Sequence, residues 1–339
     1  MGSNSQKRPK VLLLGVIEHA HSAWASISEI AEVLTPKSTN RADFLEEAAS
    51  GAFEGCVAAY RTFDSFDVTG RVDEELLTAL PASLRFICHN GAGYDQVDVQ
   101  ACTARGVRVS NTPTAVDDAT ADIGIFLLLG ALRNLAVGMA SVRAGEWRGK
   151  IPPALGHDPQ GKVLGILGMG GIGRNMARKA LAFGMKIRYH NRTRLDPGLE
   201  KGLEAEHVSF DELLGGSDVL SLNLPLNPYT RHIISRSEFA KMKKGIVIVN
   251  TARGAIIDEA ALVEALDSGQ VASAGLDVYE QEPSIHPGLL ANPRVLLVPH
   301  MGTWTVETET KMEEWTISNV RTAIESGRLR SIVPEQRNM

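Results

Sequence analysis

"GILGMGGIGRNMARKALAFGMKIRYHNRTR" (Gly165–Arg194) decides the fold. It opens with an apolar run that reads as a strand, passes Gly168, Gly170 and Gly173, continues as a helical stretch, and reaches a second strand about twenty residues on. Glycines in that context suit a dinucleotide. The first permits a tight turn and the second lets backbone approach a pyrophosphate. The third lets helix and strand pack closely, so the helix start at Gly171 and Ile172 faces the anion. A glycine-rich turn in any other α/β protein is the competing reading, and the strand–helix–strand context weighs against it.

An acid at the end of the second strand would bind the adenosine ribose hydroxyls of NAD. This chain has Asn191, Arg192, Thr193 and Arg194 there. Guanidinium groups suit phosphate oxygens and the threonine hydroxyl adds a donor. The loop therefore predicts NADP(H) in preference to NAD(H). The alternative is a solvated basic turn with Asp196 serving the ribose.

Outward from this stretch, short apolar runs alternate with helical ones, the pattern of parallel sheets with crossover helices. Strands are expected at 10–17, 56–60, 85–90 and 107–113, then at 162–168, 186–191, 219–225, 245–252, 273–278 and 295–300. The later runs lack polar alternation, as strands buried on both faces do. One long helix is expected from about Ala115 to Ala144, with Asp117, Asp118 and Asp122 at its start. Helices are expected over 211–218 and 258–270, and a last one from Thr305 to Ser326 is expected to return to the first unit.

A chain of 339 residues, 44% hydrophobic and 22% charged, is long enough for two globular domains. The net charge of −5 gives no reason to expect nucleic acid or a membrane surface. Cys56, Cys88 and Cys102 form no metal or redox pair, so free thiols, no metal and a cytoplasmic setting are expected. Met1-Gly2 starts like a myristoylation signal, but Gln6 stands where Ser or Thr is wanted.

Three further segments carry chemistry. "NGAGYDQVD" (90–98) reads as a turn after a strand whose N–H groups around Ala92 and Gly93 can hold a carboxylate, or as a plain turn. "VNTARGAIID" (249–258) places Arg253 just past a strand end, beside Thr251 and Ala252, where ligands of open α/β sheets bind. "GLDVYEQEP" and "VLLVPHMGT" put Glu282 after one strand and His300 at the end of the next. A carboxylate against an imidazole orients the ring and makes it a proton donor near neutral pH. Asp277, earlier on the same strand as Glu282, is expected to hold the nicotinamide amide.

With these motifs in this order and spacing, the chain resembles the D-isomer-specific 2-hydroxyacid dehydrogenases along nearly its whole length. "NTPTAVDDATADIGIFLLLGALRN", "NTARGAIIDEAALVEALDSGQVASAGLDVYEQEP" and "PHMGT" carry the likeness, and "YHNRTRL" and "IVPE" draw it toward fungal glyoxylate/hydroxypyruvate reductases. The resemblance implies two doubly wound parallel-sheet domains. A Rossmann cofactor domain (113–299) is inserted into a flavodoxin-like substrate domain (1–112 plus 300–339). It implies that Arg253 binds the carboxylate and carbonyl of a 2-oxoacid, and that His300 is the acid/base with Glu282 as its partner. It further implies that Ala92 and Gly93 hold the carboxylate, and that Thr120, Leu224, Pro225, Asp277 and Gly302 lie along the cofactor. Arg61 falls where relatives touch the substrate side chain. Trp304 either shapes a pocket for bulky or aromatic 2-oxoacids or packs a hinge. A homodimer through the cofactor domain is implied, with Trp147 near its interface.

The expected activity is NADPH-dependent reduction of glyoxylate, hydroxypyruvate or bulkier 2-oxoacids to D-2-hydroxyacids. A dinucleotide-sensing, corepressor-like binding protein on the same fold is the rival. A formate or phosphite dehydrogenase fits the "NRTR" loop and "PHMGT" less well.

Overall fold

A computed structural model describes residues 8–149 and 154–338; Met1-Gly2 lies outside them. The chain divides into two compact units, residues 1–116 with 305–339, and residues 117–304. Each is an α/β unit on its own parallel sheet.

The first unit has five strands, β1 (Lys10–Leu14), β2 (Glu32–Leu34), β3 (Cys56–Thr62), β4 (Phe86–Asn90) and β5 (Arg108–Ser110). They pair in the order β2-β1-β3-β4-β5, the flavodoxin-like arrangement. Alternate residues of β1 enter opposite cores: Leu12 and Leu14 pack with Phe44, Leu76 and Ile87, whereas Val11 packs with Ile27, Tyr60 and Val320. Helix Val306–Ser326 begins at Thr305, whose hydroxyl accepts the Thr308 N–H. Its Glu313 carboxylate accepts the N–H groups of Glu18, His19 and Ala20, where helix His21–Ile30 starts without a side-chain cap of its own.

The second unit has seven strands, β6 (Val163–Leu167), β7 (Lys186–His190), β8 (Ala205–His207), β9 (Val219–Leu222), β10 (Ile246–Asn250), β11 (Val271–Leu276) and β12 (Val295–Leu297). Their order is β12-β11-β10-β9-β6-β7-β8, the Rossmann winding, which reverses direction between β6 and β9. Ile246 and Ile248 of β10 face one core and Val247 and Val249 the other. That explains the missing polar alternation. The three-residue edge strands β2 and β8 were not expected.

The long helix expected from 115 to 144 is two helices, Asp117–Leu132 and Leu135–Arg143, bent by 80°. Asn134 is the cause: it sits in the left-handed region at φ 52° and its side chain donates to the Ala154 carbonyl. The first helix is buried, and its Gly130 and Gly124 admit Leu296 and Met176. The second buries no residue and leaves Leu135, Met139 and Val142 exposed. No single described helix is long and apolar enough to cross a membrane.

The second compact unit includes His300–Trp304. This stretch is held there because the His300 N–H donates to the Asp277 carbonyl and the Asp277 carboxylate binds the next two N–H groups.

Candidate active site

The glycine turn follows β6, beside the reversal point where ligands of such sheets sit. Gly168 has φ +97°, and a Cβ there would lie 2.7 Å from the Asn223 carbonyl oxygen. A Cβ on Gly173 would lie 2.3 Å from the Gly168 carbonyl, so only glycine lets the helix start this close. Gly170 faces open space and precedes helix Gly171–Ala182, in which Gly171 and Ile172 are the first two residues. Nearby strand ends carry orphaned groups. The Asn223 Oδ1 beyond β9 and the Thr251 Oγ1 beyond β10 are buried with no hydrogen-bond partner among the described residues. An open cradle at a helix start, flanked by unpaired polar atoms, fits a dinucleotide.

The loop after β7 separates its residues into different jobs. The Asn191 Oδ1 accepts the Met169 N–H at 2.7 Å, tying the loop to the glycine turn. Arg192 and Thr193 are exposed. Arg194 is committed elsewhere: its Nε and Nη2 donate to Glu200 at 2.8 and 2.7 Å. Glu200 also accepts the Tyr189 hydroxyl, and Arg194 and Tyr189 together hold its carboxyl at about 2. Asp196, the alternative ribose ligand, instead caps helix Pro197–Gly202 through the Gly198 N–H.

Asp117 was not singled out for the site. Its carboxylate lies against Gly171, where an added Cβ would meet Oδ2 at 2.0 Å. Burial pushes its carboxyl up to about 6, against the pull of Arg174. Nothing in the local sequence signals this approach across two elements.

Strands β10, β11 and β12 are neighbours, and their last residues Asn250, Leu276 and Leu297 are in register. The chain leaves these aligned ends to reach Arg253, Glu282 and His300. The Asn250 side chain is 1% exposed. It donates to the Arg253 carbonyl and accepts the Ala252 N–H, which holds the link rigid. A Cβ on Gly254 would fall 1.8 Å from the Tyr279 carbonyl carbon, so glycine lets this link lie against the Tyr279–Glu280 backbone.

The Glu282 Oε1 accepts the Tyr279 N–H at 2.8 Å, and its Oε2 lies 2.8 Å from the His300 Nδ1. Burial alone would raise the Glu282 carboxyl. The His300 hydrogen bond and charge, the Tyr279 N–H and Arg253 outweigh it and hold the carboxyl below its usual range. A carboxylate at Nδ1 makes that nitrogen the donor and leaves Nε2 as the working atom of the ring. His300 has φ +52°, a left-handed backbone that a non-glycine residue holds at a cost.

Asp277 directly follows β11. It is 1% exposed, and its two oxygens accept the Met301 and Gly302 N–H groups at 2.5 and 2.9 Å. Its carboxylate builds the turn that carries His300, because buried acceptors take the nearest backbone donors. Burial raises it to about 6. Thr120 packs beside the same turn, against Gly302. Leu224 is half-buried and Pro225 exposed beyond β9. Trp304 is 71% exposed.

In the first unit, the loop after β4 has its carbonyls turned inward. The Gly91 oxygen accepts the Thr112 N–H, the Ala92 oxygen the Asn111 side chain, and the Gly93 oxygen lies 2.9 Å from the His89 Nε2. No protein acceptor is bonded to the N–H of Ala92 or Gly93 among the described residues. Arg61, expected at the substrate, is 0% exposed and lies behind this loop, bonded to His89 and Gln96. Among the described residues no cluster suits a metal ion.

A Rossmann unit with a glycine cradle and an Arg, Glu and His gathered at aligned strand ends defines the class: a nicotinamide-dinucleotide oxidoreductase. Residues 125–302 match the family described as "D-isomer specific 2-hydroxyacid dehydrogenase, NAD binding domain". The chain is 57% identical over 331 residues to 4-methyl-2-oxopentanoate reductase A of Aspergillus oryzae, covering 98% of this chain and 99% of that one. A crystal structure of a glyoxylate reductase from Paecilomyes thermophila superposes with TM-score 0.94 at 56% identity, over 97% and 99% of the two chains. The NADPH-dependent glyoxylate/hydroxypyruvate reductase of Sinorhizobium meliloti, in complex with NADP and malonate, gives TM-score 0.84 at 30% identity, over 97% and 98%. The protein belongs to the D-isomer-specific 2-hydroxyacid dehydrogenase family.

Proposed function

We propose that this enzyme reduces 2-oxoacids to D-2-hydroxyacids and prefers NADPH to NADH. The observation that carries this is the placing of Arg253, Glu282 and His300 at three neighbouring, in-register strand ends. A bound nicotinamide cofactor supplies a hydride to the carbonyl carbon. The His300 Nε2 donates the proton that the carbonyl oxygen takes up, and Glu282 balances the imidazolium through Nδ1. Arg253 binds the substrate carboxylate and carbonyl and stabilises the negative charge that develops on oxygen. Ala92 and Gly93 offer their N–H groups to the carboxylate. Residues 117–304 serve as the cofactor domain, and the remainder as the substrate domain.

Gly168, Gly170, Gly171, Ile172 and Gly173 would hold the pyrophosphate. Thr120, Leu224, Pro225, Thr251, Ala252 and Gly302 would line the rest of the dinucleotide. For the 2′-phosphate, Arg192 and Thr193 are the available donors and Asn191 supplies no repelling charge. The relative with bound NADP supports this preference. Names of relatives run from glyoxylate to the branched 4-methyl-2-oxopentanoate, and the exposed Trp304 favours bulky substrates as well as small ones. The apolar face of Leu135, Met139, Val142 and Trp147 favours a homodimer. Three buried free cysteines agree with the reducing cytoplasm, which cell fractionation tests.

The test is a panel of glyoxylate, hydroxypyruvate, 4-methyl-2-oxopentanoate and phenylglyoxylate with each cofactor, followed by nicotinamide absorbance. Turnover of at least one with NADPH, faster than with NADH, is expected. No turnover of any would favour the corepressor-like binding protein.

A further inference from the structure

Arg61 is a fully buried guanidinium whose hydrogen-bond partners are an imidazole and a side-chain amide. Its Nη1 lies 3.0 Å from the His89 Nδ1, its Nη2 donates to the Gln96 Oε1 at 2.7 Å, and its Nε has no partner among the described residues. Asp95 acts on it only through its charge. Burial lowers its pKa to about 10, which leaves it charged at neutral pH. A cation desolvated without a hydrogen-bonded carboxylate is costly to the fold, and a hydrophobic residue would fill the space more cheaply. What it does locally is definite. A guanidinium only donates, so the His89 Nδ1 must accept. The ring proton therefore sits on Nε2 and is given to the Gly93 carbonyl 2.9 Å away. The ring lies directly beneath the loop, since a Cβ on Gly91 would come within 2.7 Å of Nε2. Arg61 and His89 are paired across β3 and β4, so the strand register itself sets this contact.

We infer that Arg61 and His89 form a positioning relay for substrate recognition. Arg61 sets the His89 tautomer. His89 then holds the Gly93 carbonyl back, so that the Ala92 and Gly93 N–H groups are presented to the carboxylate of the 2-oxoacid. The buried positive charge beneath the loop adds fixed attraction for that anion. Both are positioning residues, acting through backbone. The inference rests on the reading of this loop as the carboxylate nest.

The experiment measures kcat and KM of the full chain for glyoxylate at saturating NADPH, with KM for NADPH alongside. His89→Asn keeps an acceptor for Arg61 but is too short to reach the Gly93 oxygen. His89→Gln restores a donor at the Nε2 position. The relay predicts that KM for glyoxylate rises about tenfold in H89N and returns to within about threefold of wild type in H89Q, with kcat and KM for NADPH little changed. Equal KM in the two variants, or a matching loss in kcat and in NADPH binding, overturns the relay. If the His89 variants do not fold, Arg61→Lys carries the same test. It keeps the charge but loses the fork, so a rise in KM confined to the 2-oxoacid supports the relay and an unchanged KM refutes it. Ala92→Asp separates the underlying reading. If it leaves KM for glyoxylate unchanged, the loop is not the carboxylate nest. If it raises KM while H89N does not, the nest stands and the relay alone fails.

Discussion

The Nδ1 of His300 stands 2.8 Å from the Oε2 of Glu282, eighteen positions away along the chain, with helix Pro287–Ala291 and β12 between them. Glu282 is pinned from its other oxygen by the Tyr279 N–H, so the pair forms a fixed donor–acceptor unit. His300→Ala should lower kcat/KM for 2-oxoacids by about 10²–10⁴, the usual worth of a positioned general acid, while dinucleotide binding persists. Glu282→Gln should cost at least about tenfold in kcat through a misoriented ring. Steady-state kinetics beside a cofactor titration checks both. Full activity in H300A would remove the ring from the chemistry.

Arg253→Ala should lower kcat/KM by about 10²–10³, because it would remove both the proposed carboxylate contact and the proposed charge facing the carbonyl oxygen. Arg253→Lys should recover only part of this, since an ammonium cannot make the paired contact. Near-normal turnover of R253A would show that another group binds the 2-oxoacid.

The two arginines of the cofactor loop should differ. Arg192→Ala should raise KM for NADPH about tenfold and leave KM for NADH nearly unchanged. Arg194→Ala should lower thermal stability and affect both cofactors alike, because its fork is held by Glu200. Asn191→Asp keeps the acceptor for the Met169 N–H and adds a charge that repels the 2′-phosphate. It should shift preference toward NADH, and an unchanged ratio of the two KM values would contradict the assignment.

Asp117 gives a pH prediction. Its folded-state carboxyl titrates near 6, above its ordinary value, so the folded protein binds this proton more tightly than the unfolded chain does. Stability from this group is present below pH about 4 and is lost as pH rises through 6. Asp117→Asn should therefore stabilise the protein near pH 8 by about 1 kcal/mol, after allowing for solvent screening of a half-exposed group. The gain should vanish near pH 4. Denaturation followed at both pH values measures it, and an equal effect at the two would exclude titration as the cause.

If the exposed face of Leu135, Met139 and Val142 forms the proposed dimer, Met139→Glu combined with Val142→Glu should yield monomers by light scattering, because two charges would face an apolar partner surface. A wild-type chain that is already monomeric would refute the assigned interface.

Most of the architecture was legible along the chain. Gly168, Gly170 and Gly173 between two apolar runs determine a strand–turn–helix unit, because each glycine answers to backbone geometry within a few residues. Every strand except the three-residue β2 and β8 was visible as an apolar run, and Arg253, Glu282 and His300 stood out by following strand ends. Tertiary structure decided the rest. It broke the helix at Asn134, bound Arg194 to Glu200, turned Asp277 toward the His300 turn, set Asp117 against Gly171, and buried Arg61 under His89. Local patterns report which face of an element is apolar. They do not report which partner a charged or polar side chain meets, because packing brings that partner from another element, and the price of an unpaired buried group then selects the contact.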